Sequence, residues 1–544
     1  MTRRLLRAGF ALVAVTVAVT ALAAPAAPKA SPQANRFDAA LAGTFEAREK
    51  DWRNGAVVYQ VLVDRFAPSA NLDAKRYLYP APKVLRGWDE LPRAGKYLPE
   101  AKVWSHEIDF WGGDLASLGS KLDHVQQLGA DVLYLNPIHL AYTNHKYDAL
   151  DYKIVSPEYG TRDDVKALAA NLHGRHMKLV LDGVFNHMGR NSLLFKQAEA
   201  SVDNPYRQWF VFGPQYEGGA RTWALAQNLP ELNLENPEVR DHLYAKPDSV
   251  VRGYLRDGID GWRLDVAFDI GPDFLNELTQ AAHREKPGSL VIGEIANYPK
   301  EWFPAVDGLL GFTLRQLILR TASGQLDAPT AARMVHRMVE ETGVEPMLKS
   351  WVYLGNHDTA RLATTLPDER QRRLAQVLQF TLPGSPNLYY GDELGMLGGE
   401  DPEMRAPMRW DLAAPDNAAL AWTQQLVRMH RGERALRVGN FRLLESQRLF
   451  AFERYTDRAC DAVFVLVNPG NADVTDTVLI PDSKIMDNTR LVDLLGAPQD
   501  TAKPAEPLRV NSALLQVTVP AGSFLVLKPD VAPPGGYTNY KRVQ

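Results

Sequence analysis

The feature that most constrains this chain is an eightfold alternation. A short apolar run ends in polar or charged residues, and a helical pattern follows. The runs fall at residues 57–63, 132–135, 179–181, 261–264, 290–292, 308–312, 351–354 and 387–390. They are continuously apolar rather than alternating, as strands buried on both faces of a parallel sheet must be. Between them the apolar positions take helical spacing. Leu115, Leu118, Leu122, Val125 and Leu128 line one face of a helix expected over 114–128, and segments 162–172 and 369–380 behave alike. Strand–helix units repeated in this way predict an α/β fold, a (β/α)8 barrel. No Gly-rich dinucleotide loop follows the first run, which argues against an open doubly wound sheet.

With 544 residues, the chain exceeds one simple core. The barrel is expected over 46–435. An aromatic stretch holding Tyr206, Trp209, Phe210, Phe212, Tyr216 and Trp223 interrupts the third unit, so a short inserted subdomain is expected over about 187–228. Beyond the barrel, strand-like segments at 441–455, 462–468, 477–480 and 514–528 predict a C-terminal β-sandwich over 436–530, followed by a tail over 531–544. At the other end, Arg3, Arg4 and Arg7 precede the apolar residues 8–21 and a small-residue pattern at Ala21 and Ala23. That arrangement reads as a signal peptide over 1–23, then an Ala/Pro-rich linker over 24–45, and predicts an exported enzyme, periplasmic or secreted. Cys460 is the only cysteine, so no intramolecular disulfide can form. A net charge of −4 offers no basic field for nucleic acid or an anionic membrane.

Barrel enzymes carry their chemistry at the C-terminal ends of the strands. Here those ends hold Asp64, Asn136, Asp182, Asp265, Glu294, His357, Asp358, Asp392 and Glu393. Carboxylates from the fourth, fifth and seventh strands would meet at one mouth. Two carboxyl groups on neighbouring strands suit a retaining glycosidase, whose pair stands about 5–5.5 Å apart.

Four segments sharpen that reading: 182–187 (DGVFNH), 261–265 (GWRLD), 293–295 (GEI) and 355–358 (GNHD). In order and position this set resembles the signature regions of the α-amylase family of glycoside hydrolases. The resemblance implies that Asp265 is the nucleophile and Glu294 the general acid, with apolar Val291, Ile292 and Ile295 favouring its protonated form. It implies that Asp358 grips the sugar hydroxyls, that Arg263 keeps Asp265 ionised, that Asp182 supports Arg263 or the sugar, that His187 and His357 donate to the reacting ring, and that Tyr147 stacks beneath it.

Segments 110–114 (FWGGD), 144–148 (NHKYD) and 229–233 (LPELN) are similar to the cyclomaltodextrinase, neopullulanase and maltogenic amylase group. Phe268 and Asp269 stand where that group usually has Asn-Glu, Ala296 where it has an aromatic residue, and its long N-terminal β domain has no counterpart before the barrel. The expected activity is retaining hydrolysis of α-glucosidic, mainly α-1,4, bonds in maltooligosaccharides, cyclodextrins or related α-glucans. Transglycosylation and endo-attack on starch remain open alternatives, and oligomeric state stays open. A non-catalytic glucan-binding relative would have lost the carboxylates that this chain keeps. No cofactor is required; a structural calcium ion could use Asp64, Asn71 and Asp73, which equally suit a solvated turn.

Overall fold

A computed structural model describes residues 41–496 and 507–531. Eight parallel strands form the centre: β1 (Val58–Val61), β2 (Val132–Leu135), β3 (Lys178–Gly183), β4 (Gly261–Leu264), β5 (Leu290–Gly293), β6 (Gly308–Leu309), β7 (Trp351–Tyr353) and β8 (Ser385–Tyr389). They are hydrogen-bonded in the order β6-β5-β4-β3-β2-β1-β8-β7. A parallel bridge between Leu310 and Trp351 brings the two edges together, so the sheet closes on itself as the expected barrel. Almost every strand residue is buried, which is why the runs lack polar alternation.

The helices follow local chemistry. Thr161 caps the helix Arg162–Gly174, accepting from the Asp164 amide, and Asp368 caps Glu369–Thr381 in the same manner. The single helix expected over 114–128 is two. Asp114 caps Leu115–Gly119 and a second helix runs Leu122–Leu128, because Ser120 turns back to bond the preceding carbonyls and breaks the repeat.

After β3 the chain leaves the barrel, forms the helix Leu193–Ala200, and returns through isolated bridges, Phe210 to Leu232 and Thr222 to Pro230. The long segment after β1 carries a small antiparallel hairpin, Tyr97–Leu98 with Val103–Trp104. These two excursions are the walls of the barrel mouth.

The C-terminal region holds β9 (Asn440–Leu443), β10 (Phe450–Tyr455), β11 (Val463–Asn468), β12 (Val474–Leu479), β13 (Thr489–Asp493), β14 (Arg509–Asn511), β15 (Leu514–Val519) and β16 (Ser523–Pro529). Their antiparallel order is β9-β10-β11-β16-β13-β14-β15-β12. The sheet folds over a core of Ala451, Phe464 and Leu466 against Val478, Leu515 and Val517, as a sandwich does. Segments 441–455 and 514–528, each read as one strand-forming stretch, are both pairs of strands; β13 and β14 were not foreseen.

One carboxyl in this region has no apolar rationale. Glu453 on β10 is fully buried, and burial together with the Asp482 charge pushes its pKa up to about 8, with Arg442 opposing. Its folded value lies above its unfolded value, so the folded state holds an extra proton between them. Stability is therefore lost as pH rises from about 5 through 8. Glu453→Gln removes that proton, and its Tm should gain on wild type by about 1–3 °C between pH 5 and pH 8. Parallel Tm profiles for the two proteins would contradict this.

Candidate active site

Strand register builds the site. Asp182 on β3 lies directly opposite Arg263 on β4. Leu264 pairs with Gly293, so the next residues, Asp265 and Glu294, leave neighbouring strand ends at the same level. Adjacent strands stand about 4.8 Å apart. The fully buried Arg263 guanidinium uses one terminal nitrogen for Asp182, at 2.9 and 3.0 Å, and for Asp265, at 2.9 Å. The other terminal nitrogen pairs with Glu294 at 2.7 Å. One cation thus serves three carboxylates. Glu294 also accepts the Val266 N–H at 3.0 Å. It meets charge and an amide here rather than an apolar nest, since Ile292 and Ile295 are buried away from the cleft it half faces.

Burial pushes the Asp265 carboxyl well above the usual carboxylate range; Arg263 opposes this, and Glu294, Asp182 and Asp358 reinforce it. Val266, immediately after Asp265, holds φ at 47°. A β-branched residue in the left-handed region is strained, and the strain turns its amide toward Glu294.

Further contacts fix Asp182, Tyr147 and His357. Tyr134 and Tyr147 donate to Asp182 at 2.6 and 2.9 Å. Tyr147 stacks on His357, with ring centroids 5.2 Å apart and planes at 6°. The Gln60 amide meets His357 Nδ1 at 3.0 Å, which leaves the ring proton on Nε2. That nitrogen faces the Tyr147 hydroxyl at 2.5 Å and Asp358 at 3.0 Å. Burial, with Arg405 and Arg263 adding, drives the His357 pKa well down, so the ring is neutral. His187 is likewise neutral, lowered to about 3 by burial. Its Nε2 has no hydrogen-bond partner, stands 3.9 Å from Asp265, and lines the cavity. A buried polar atom without a partner calls for one from a ligand.

These residues floor a cavity of about 770 Å³ walled by the hairpin and the β3 excursion. Asp265, Glu294, Asp358, Tyr147, His187 and His357 all line it, while Arg263 and Asp182 lie beneath. Other strand-end acids face elsewhere. Asp392 pairs with Arg361 at 3.1 Å, and Glu393 binds the Tyr59 hydroxyl at 2.8 Å and His124 at 3.0 Å. Asp148 accepts from Tyr142 and Thr143 and so braces its loop. Sequence reasoning missed Arg405, which binds Asp358 at 3.1 Å and the His357 carbonyl at 2.8 Å; it sits in an unpatterned loop and gave no signal. Trp223, from the aromatic stretch of the excursion, lines the cavity and stacks on His187 at 5.6 Å.

The family model "Alpha amylase, catalytic domain" matches residues 60–431. The chain belongs to the α-amylase family. It is therefore a glycoside hydrolase of the class that cleaves α-glucosidic bonds with retention, and such hydrolases need no organic cofactor. A cyclomaltodextrinase of a Bacillus species is 32% identical over 442 residues, covering 77% of this chain and 74% of that protein. The intracellular maltogenic amylase of Bacillus subtilis (strain 168) is 30% identical over 500 residues, covering 89% of this chain and 78% of its own. Among solved structures, the cyclic α-maltosyl-(1→6)-maltose hydrolase of Arthrobacter globiformis superposes with a TM-score of 0.71 at 29% identity, covering 88% of this chain and 98% of that one.

One expectation needs correction. The exported, periplasmic or secreted assignment does not stand, because a relative matching along most of the chain is an intracellular enzyme by name. Residues 1–23, which carried the signal-peptide reading, lie outside the described residues. Among the described residues, no helix is long and apolar enough to cross a membrane. A structural calcium ion at the loop of Asp64, Asn71 and Asp73 is not confirmed. Asp64 is buried and spent on Arg65 and the amides of Trp111 and Gly112, whereas Asp73 pairs with Arg76 at the surface. Among the described residues, no group of three or more His, Cys, Asp or Glu side chains is arranged to hold a metal ion.

The raised Asp265 carboxyl sets a pH dependence. Its anion is lost as pH falls through a value above the ordinary aspartate figure of about 4. The acid limb of kcat/KM should therefore have its midpoint above that figure; a midpoint below it would contradict the electrostatics described.

Proposed function

We propose that Asp265 attacks the anomeric carbon of an α-glucoside while Glu294 protonates the leaving oxygen, giving a covalent glycosyl-enzyme. Glu294 then takes a proton from water, and that water releases the sugar with its configuration kept. The observation that carries this reading is the shared Arg263. A nucleophile and an acid on neighbouring strand ends, joined through one planar cation, support the reading of a retaining pair. Arg263 holds Asp265 in its anionic, attacking orientation. Asp358, His357 and His187 would bind hydroxyls of the reacting ring, and Tyr147 would lie beneath its face.

The substrates we propose are short or cyclic α-glucans, chiefly α-1,4-linked. Support comes from the walled cavity and from relatives named for cyclomaltodextrin and cyclic maltosyl-maltose. A second outcome, sugar transfer, is favoured by one feature. Phe268, 49% exposed, and Trp302 hold their rings 5.5 Å apart beside the Asp265 strand end, an apolar platform suited to an acceptor sugar. No calcium enters this reading. The division we propose keeps the barrel at 46–435, its excursion at about 187–228, and the β domain at 436–530.

Asp265→Asn and Glu294→Gln preserve shape and remove one reacting group each. Each should lower kcat on maltotriose by about 10³-fold or more with little change in Tm. Near-normal turnover by either variant would remove that residue from its role. Proton NMR of the first products should show the α-anomer before mutarotation; an initial β-anomer would mean inversion.

A further inference from the structure

The two walls of the cavity touch each other. Lys102, at the tip of the hairpin Tyr97–Leu98/Val103–Trp104, donates from its ammonium to the Gln227 side-chain oxygen at 2.5 Å. Lys102 holds φ at 56°, a left-handed conformation that directs the tip. Gln227 is anchored from its own side. Its amide donates to Glu217 at 2.6 Å, and its carbonyl accepts from Arg190 at 2.7 Å. Nearby, Ala224 and Leu225 take consecutive left-handed conformations, with φ of 46° and 64°, and Leu225 is 82% exposed although it lines the cavity. Two adjacent strained residues, one an exposed leucine, persist only where the surroundings impose them.

The hairpin is also tied to the floor. Trp104 stacks near His106, which meets Asp401 at 3.3 Å; Asp401 pairs with Arg405, and Arg405 binds Asp358. Hairpin tip, excursion loop and reacting carboxylates therefore bound one space. Phe268 does not line it, and Trp302 edges a separate hollow of about 650 Å³ with Tyr298 and Lys300. The cleft is strapped where hairpin and excursion meet, and the Phe268–Trp302 pair lies outside the strapped space.

We propose that the Lys102–Gln227 strap closes the donor end of the cleft and thereby selects substrate. It caps the number of sugars beyond the reacting ring and prevents a polymer from threading through, so that chain ends and small rings enter. This rests on the hydrolase reading given above, with Asp265 and Glu294 acting on an α-glucan. The strap is a neutral-substrate device: the ammonium is spent on an amide oxygen, not on a charged ligand.

The test uses the full chain with Lys102→Ala, Gln227→Ala, the double variant, and a variant in which residues 99–102 are replaced by Gly-Gly. Three readouts are taken: kcat/KM on maltotriose, kcat/KM on soluble amylose, and the product distribution from maltoheptaose. The single variants should keep maltotriose kcat/KM within about twofold and raise the amylose-to-maltotriose ratio by about fivefold, with a broader product set. The double variant should match the singles, because both remove one contact. The shortened hairpin should raise the ratio further, by about tenfold or more. Unchanged ratios and products in both the double and the shortened variants, with maltotriose activity intact, would overturn the strap alone. A wild type that hydrolyses neither substrate would overturn the hydrolase reading and the strap with it.

Discussion

The site depends on one buried guanidinium. Arg263 lies in the barrel interior, where an unpaired charge would cost several kcal/mol. It is tolerated because Asp182, Asp265 and Glu294 meet it from three consecutive strands. None of those acids would tolerate burial without it. The parallel register that sets Asp182 opposite Arg263, and Asp265 level with Glu294, is therefore both a folding constraint and the source of the reactive geometry. One positive charge does not offset the burial of Asp182 and Asp265, whose carboxyls are both raised.

Around this centre the polar groups form a closed network. Tyr134 and Tyr147 complete Asp182, and Asn136 and Gln60 hold Tyr147 and His357 in place. Burial keeps both His187 and His357 neutral, so each presents a ring nitrogen rather than a cation to a sugar. His187 Nε2, left without a partner, belongs to a residue that lines the cavity. Rigidity below and open valence above are what differential binding of a distorted sugar ring asks for. Relatives acting on cyclodextrin and on cyclic maltosyl-maltose share the barrel and are similar along most of this chain.

Much of this was legible in the sequence, for identifiable reasons. A barrel strand must be apolar on both faces, so the eight runs stood out, and the residue after each run had to be at the mouth. Spacing alone could not separate Asp265 from Asp392 or Glu393, which also end strands. Their difference lies in partners from distant segments, Arg361 for one and Tyr59 with His124 for the other. Arg405, Lys102 and Gln227 sit in aperiodic loops, and their roles arise only when those loops fold back over the mouth. The left-handed Val266 left no trace either, since nothing local to a Leu-Asp-Val-Ala string announces strain. In the β domain, the polar residues 445–448 mark the turn between β9 and β10, a signal that reading 441–455 as one strand-forming stretch passes over.

The central claim is that Asp265, held by Arg263, forms the covalent bond. The most direct measurement is to trap that bond in Glu294→Gln with α-maltosyl fluoride. Fluoride leaves without an acid, while release of the sugar still needs the missing base. Mass spectrometry of the digested protein should find one maltosyl unit added to the peptide that contains Asp265, and none when Asp265→Asn is added. A label on another residue, or turnover of the fluoride with no covalent species and a β-anomeric product, would contradict the account.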